Sequence, residues 1–228
     1  MARATGSGQI PLQLPLEAAQ ARDDLIVSAS NEQAVAYLDS WPDWPGPVGI
    51  LAGPTGAGKT HLAQIWASKS KALFLDPALD IGDQVQPGHE NFVVEDIAQG
   101  NFSETWLFHL INTVRAAKGH LLITSRRWPG EWGVSLPDLR SRLKTAHVME
   151  IAEPDDIMLT GVLMKLFSDR QLLVEPSVID YMSTRMERSL AAAQNLVRRL
   201  DELSLADKRA VTKPLASQAL SELDQQTV

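Results

Sequence analysis

The chain has no cysteine. Disulfides and thiolate metal sites are therefore excluded, the core must be held by packing alone, and a reducing compartment is the natural setting. Its five histidines, His61, His89, His109, His120 and His147, show no i, i+4 pair and no other ligand spacing, which argues against a histidine metal centre. Long apolar runs are missing too, for none approaches the ~20 residues that cross a bilayer. The N-terminus has an early arginine but no apolar stretch, so it does not read as a secretory signal. These absences lead us to expect a cytoplasmic protein with no membrane contact.

Positive charge is also scarce, with 21 Lys and Arg against 28 Asp and Glu and a net charge of −7. A protein that grips nucleic acid unaided usually shows a basic footprint, because phosphate neutralisation supplies most non-specific affinity. Residues 185–213 are locally richer in base, with Arg188, Arg198, Arg199, Lys208 and Arg209. That stretch reads as a solvated helical face.

What is present is an ordinary globular balance, 44% hydrophobic and 21% charged over 228 residues. Such a chain can bury one good core, or one core plus a small satellite. Residues 1–22 are rich in Gly, Pro, Gln and Ala and are expected to form a flexible tail. Leu25 to Val27 are extended in character, and Ser30 is placed to cap a helix whose stripe runs through Ala34, Leu38 and Trp41. Apolar runs predict strands over 48–52, 72–75, 91–97, 120–125 and 147–151, with helices after 58, over 104–119 and over 136–143. Beyond Pro154 the strand signal stops and four helices are expected, near 155–170, 176–187, 189–205 and 214–224. Pro176 and Pro214 stand where two of them begin. The predicted fold is α/β, a P-loop parallel sheet flanked by helices and followed by an all-helical lid. The expected boundaries are a tail over 1–22, a nucleotide-binding unit over 23–153 and a lid over 154–228.

The chemistry is concentrated in Gly53, Pro54, Thr55, Gly56, Ala57, Gly58, Lys59 and Thr60, which match G-x-x-x-x-G-K-[ST] between an apolar run and a helix. Glycines let the backbone wrap a phosphate and point its N–H groups inward, and the helix adds its positive end. Lys59 can reach the β and γ oxygens, and Thr60 can ligate Mg²⁺. The run "FVVED" ends in Glu95, a candidate for the metal or its water, and Asp96, a candidate for activating water. Glu95 is one methylene longer than the usual aspartate.

Together these segments resemble the AAA+ ATPases, and within them the Hda family, regulators related to the bacterial initiator DnaA. "IVSASNEQA" is similar to the initiator segment lining the adenine pocket, which nominates Ile26, Val27 and Asn31. "GPTGAGKTHL" has the family's loop with His61 after it, and "LLITSRRWP" resembles its sensor-1 turn, with Thr124 and Ser125 as polar candidates. The position that is acidic in the initiator is Arg126 here. "LPDLRSRL" resembles the arginine-finger segment and places the finger on Arg142, against the alternative of a surface arginine paired with Asp138. Residues 186–220 are similar to the family's lid helices, with the sensor-2 arginine position falling on Ala191.

The resemblance implies a protein holding ADP or ATP with Mg²⁺, slow in its own hydrolysis, that stimulates hydrolysis by DnaA. With no initiator-like DNA-binding domain after the lid, the likeness is to Hda rather than to DnaA. The peptide "QIPLQLPL" resembles the motif docking on the sliding clamp, the DNA polymerase III β subunit, through Gln9, Leu12, Gln13, Leu14 and Leu16. Two registers stay open, from Gln9 or from Gln13, and so does self-association as a homo-oligomer. DNA is then met indirectly, through the clamp. The competing reading is an initiator-like or helicase-loader-like ATPase acting directly on DNA.

Overall fold

The computed structural model describes residues 22, 25–85, 88–98, 100–207 and 209–226. Its centre is a five-stranded sheet of β1 (Val48–Ala52), β2 (Leu73–Leu75), β3 (Phe92–Val94), β4 (Leu121–Ser125) and β5 (His147–Glu150), ordered β2-β3-β4-β1-β5. Every pairing is parallel; Ile50 of β1 stands opposite Ile123 on one side and Val148 on the other. β1 and β4 are buried along their whole length, as apolar strands covered on both faces should be.

Alternation along the strands sorts residues to the two faces. Val48, Ile50, Phe92, Val94, Leu121 and Ile123 face α4 (Glu104–Ala117) and α5 (Pro137–Lys144), meeting Leu107, Leu110, Ile111, Leu139 and Leu143. Leu51, Val93, Leu122 and Met149 face α1 (Glu32–Asp39) and α2 (Lys59–Ser70), meeting Ala34, Leu38, Leu62 and Trp66. The loop after α1, rich in proline over residues 41–47, packs here as well. Trp44 stacks on Trp66 with centroids 5.0 Å apart, and Tyr37 stacks between Trp44 at 4.5 Å and His147 at 4.7 Å.

Four later helices, α6 (Asp156–Asp169), α7 (Pro176–Ser183), α8 (Leu190–Asp207) and α9 (Lys213–Gln226), make their own core of Leu159, Leu163, Phe167, Met182, Leu196 and Leu200. α6 starts where the Asp155 carboxylate accepts the Met158 N–H at 2.8 Å. The short α3 (Ile81–Gln84) and a 3₁₀ turn at Pro129–Glu131 were not expected from sequence, being too short to show a period.

Three sequence expectations are corrected. Asn31, not Ser30, occupies the N-cap of α1; its side chain accepts from the Ser28 N–H and donates to the Ile26 carbonyl, both at 3.0 Å. Trp41 lies beyond the end of α1. β3 also stops at Val94, short of its predicted end, because the chain turns at Asp96, whose φ is 53°.

Candidate functional site

The C-terminal ends of β1, β3 and β4 converge on one cleft of about 730 Å³. This is where parallel sheets present loops to ligands. The floor is the loop from Thr55 to Thr60, leaving β1 and entering α2. Gly56 (φ 79°) and Gly58 (φ 94°) take left-handed conformations, as a loop that wraps its N–H groups around an anion requires. Gly53 is needed for closeness: a Cβ there would stand 2.2 Å from the Ile151 carbonyl oxygen.

The lid supplies the opposite wall, through Met158, Val162, Lys165 and Leu166 of α6 and Leu190, Ala191 and Gln194 of α8. The Leu190 N–H donates to the Gly56 carbonyl at 2.9 Å, bonding the first turn of α8 to the phosphate loop. Arg188, just before that helix, gives Nε to the Pro154 carbonyl at 3.2 Å and Nη1 to Asp156 at 2.8 Å. Ala191 brings neither charge nor reach to the wall.

Lys59 is 8% exposed and donates to the carbonyls of Gly53 and Pro54, each at 2.7 Å. Burial pulls its ammonium below the usual lysine range, with Asp96 opposing the shift, Arg126 adding to it and Glu95 opposing it. The side chain is thus a partly desolvated cation beside two acids, suited to phosphate. Thr60 is exposed to the cleft, and His61 lines it. Glu95 lines it too, and its Oε1 is buried with no hydrogen-bond partner.

That orphaned carboxylate oxygen and the Thr60 hydroxyl fit a divalent cation. Among the described residues no group of three or more His, Asp or Glu could hold one. An ion here would complete its shell with phosphate and water oxygens, the usual habit of Mg²⁺. Asp96 is pinned from all sides. Its N–H donates to Thr124 Oγ1 at 2.9 Å, its carbonyl accepts from Asn101 Nδ2 at 2.7 Å, and its carboxylate accepts from Arg126 Nε at 3.1 Å and Nη2 at 2.9 Å.

Of the nominated base contacts, Ile26 and Asn31 line the cleft beside Leu25, whereas Val27 is 44% exposed and is not in the wall. Thr124 reaches the cleft; Ser125 does not. The Ser125 hydroxyl donates to the Ile97 carbonyl at 2.7 Å and accepts from Trp132 Nε1 at 3.0 Å, so it ties strand ends together. Lys165, Met158 and Val162 were missed by sequence reasoning, since nothing local marks lid residues that only packing brings here.

Arg142 does not line the cleft. Leu139 and Leu143 bury one face of α5 and leave Arg142 half-buried beside them, its guanidinium 5.7 Å from the centroid of Phe108. No hydrogen bond or ion pair to Asp138 forms, and Arg140 is occupied with the Val134 carbonyl at 2.6 Å. The tail candidates Gln9, Leu12, Gln13, Leu14 and Leu16 lie outside the described residues.

Residues 159–220 match the family model of the Hda lid domain. An uncharacterised protein of Haemophilus influenzae is 25% identical over 92% of this chain and 98% of its own length. The initiator DnaA of Chloroflexus aggregans is 24% identical over 96% of this chain, which spans 53% of that relative. Domain III of Thermotoga maritima DnaA superposes with a TM-score of 0.75 at 16% identity, covering 92% of this chain and 98% of that domain. AMPPCP-bound DnaA from Aquifex aeolicus superposes with a TM-score of 0.66 at 19% identity, covering 80% of this chain and 64% of that one. The sheet and lid are thus those of a DnaA-type AAA+ fold.

Proposed function

We propose that this Hda-like, DnaA-related AAA+ chain is a nucleotide-bound regulator of chromosome replication initiation. It holds ADP or ATP with Mg²⁺ in the cleft, and the nucleotide sets the angle between sheet and lid. In that posture it packs against ATP-bound DnaA and lends it a guanidinium, so that DnaA hydrolyses its ATP and initiation is not repeated. The tail peptide from Gln9 to Leu16 tethers it to the DNA-loaded sliding clamp, raising its effective concentration near the target.

The observation that carries this reading is the position of Arg142. It sits outside the chain's own cleft, without a carboxylate partner, on a helix held rigidly by Leu139 and Leu143. A guanidinium in that position has nothing to do for its own nucleotide and is available to a neighbour's. Trans-acting arginines of this kind accelerate other NTPases by ~10³–10⁵. Thr60, Glu95 and Lys59 would hold the metal and phosphates, while Ile26 and Asn31 would flank the base.

The test is DnaA-bound ATP turnover with purified clamp loaded on DNA, with and without this protein. A large, clamp-dependent acceleration is expected, and it should be lost when Gln9 and Gln13 are replaced together. No acceleration under any nucleotide condition would overturn the reading. Salt-sensitive DNA binding without clamp would favour direct action on DNA instead.

A further inference from the structure

The nucleotide reading of the cleft leaves Arg126 without a role. It follows β4 directly and lines the cleft. Its Nε and Nη2 engage the two carboxylate oxygens of Asp96, at 3.1 and 2.9 Å. The turn that carries Asp96 is held without Arg126, by Thr124 Oγ1, by Asn101 Nδ2, and by the Ile97 N–H on the Thr124 carbonyl at 2.9 Å. The guanidinium is therefore not what folds this turn. What it determines is where the carboxylate points.

We infer that Arg126 is a positioning residue that keeps Asp96 from serving as the base, so that the chain retains its nucleotide instead of cleaving it. Hydrolysis forms a bond from a water oxygen to the γ-phosphorus and breaks the bond from that phosphorus to the β–γ bridging oxygen. ADP leaves with the electron pair, and the water's proton must pass to an acceptor. Asp96, which lines the cleft, is the acceptor this inference assigns, and each of its oxygens already gives one lone pair to a single guanidinium. Each oxygen keeps a second lone pair, but turning one onto the attacking water requires giving up at least one of those bonds. The forked, planar guanidinium matters here, since a lysine is a point charge and cannot occupy both oxygens in this way.

The pair is about half exposed, at 59% and 50%, so the brake is a mild one. Exposed pairs shift an equilibrium by no more than several-fold, and releasing Asp96 should raise the rate by about twofold to fivefold. The inference rests on the proposed nucleotide site but not on action towards DnaA.

The experiment is single-turnover cleavage of saturating Mg²⁺–ATP by the full chain, so that differences in affinity do not enter. It compares the parent with Arg126→Ala, Arg126→Gln, Arg126→Lys and the Arg126→Ala, Asp96→Asn double variant. Faster cleavage by the alanine and glutamine variants, an intermediate rate for lysine, and loss of the gain in the double variant would support it. An unchanged or slower rate would overturn it, as would a gain that survives Asp96→Asn or a lysine variant as slow as the parent. Equilibrium binding of ATP to the parent separates the two levels. No binding overturns the nucleotide site and this inference together, while binding with an unaltered variant rate overturns the brake alone.

Discussion

Gly56 of the phosphate loop and Leu190 of the lid are joined by one backbone hydrogen bond of 2.9 Å. No side chain intervenes, so any shift of the loop would reach the first turn of α8 directly. In the proposed function, this contact is the route by which a nucleotide in the cleft would set the attitude of the lid.

Gly56→Ala tests that link. The new Cβ would lie 2.2 Å from Ser189 Oγ, and the residue would have to keep a φ of 79°. A left-handed conformation costs an L residue about 1–2 kcal/mol even where space is free. We expect nucleotide affinity to fall at least tenfold while the sheet core survives. Titration with a fluorescent ADP analogue, alongside circular dichroism, reads both.

Glu95→Gln addresses the metal. Glu95 Oε1 is buried and unpartnered, an arrangement that a cation would satisfy and a neutral amide would not. Affinity of the parent for ADP or ATP is expected to drop when Mg²⁺ is chelated. In the variant the same chelation should make a smaller difference, since Thr60 and the phosphates would still hold the ion, though less tightly. Isothermal titration with and without chelator measures the contrast.

His120 gives a pH dependence of definite sign. Its imidazole is kept below its ordinary value of 6.5 by burial, and Nδ1 accepts from Trp41 Nε1 at 3.3 Å. The unfolded chain takes up a proton near 6.5 while the folded chain resists, so stability is full above that pH and declines below it. Asp39 and Asp155 have depressed carboxyls, whose contribution is lost only as pH falls below about 4. Between pH 7 and 5.5 His120 therefore contributes a decline that these two carboxyls do not. The slope should be a fraction of the ~1.4 kcal/mol per pH unit of a whole proton, because the ring is only partly buried. Urea unfolding midpoints should fall across that span in the parent and fall less steeply in His120→Gln.

The phosphate-loop pattern was legible because it runs over consecutive residues, and Gly56 and Gly58 take the left-handed backbone it calls for. The five strands were legible for a related reason, since strands covered on both faces read as continuous apolar runs. Ser125 was misplaced because two adjacent hydroxyls end β4 and only the side-chain alternation separates them. Thr124 turns to the cleft and Ser125 turns behind it. Lys165 and Met158 could not be read at all. They belong to α6, and only the packing of the lid against the sheet brings them opposite a loop some hundred residues earlier.

The last prediction separates two arginines on one helix. Arg140 and Arg142 are equally charged and two residues apart, so any general electrostatic effect on a partner would be shared by both. Their surroundings differ: Arg140 is bonded to the Val134 carbonyl, and Arg142 rests over Phe108. If Arg142 enters the partner's site, Arg142→Ala should reduce stimulated ATP hydrolysis by ~10³ or more, and Arg142→Lys should recover little of it, since a point charge lacks the planar fork. Phe108→Ala should fall between, because the ring restrains the guanidinium without touching the phosphate. Arg140→Ala should lower thermal stability slightly and leave stimulation within about twofold, as expected of a loop anchor. Equal losses from both alanine variants would mean that α5 contributes charge rather than a finger.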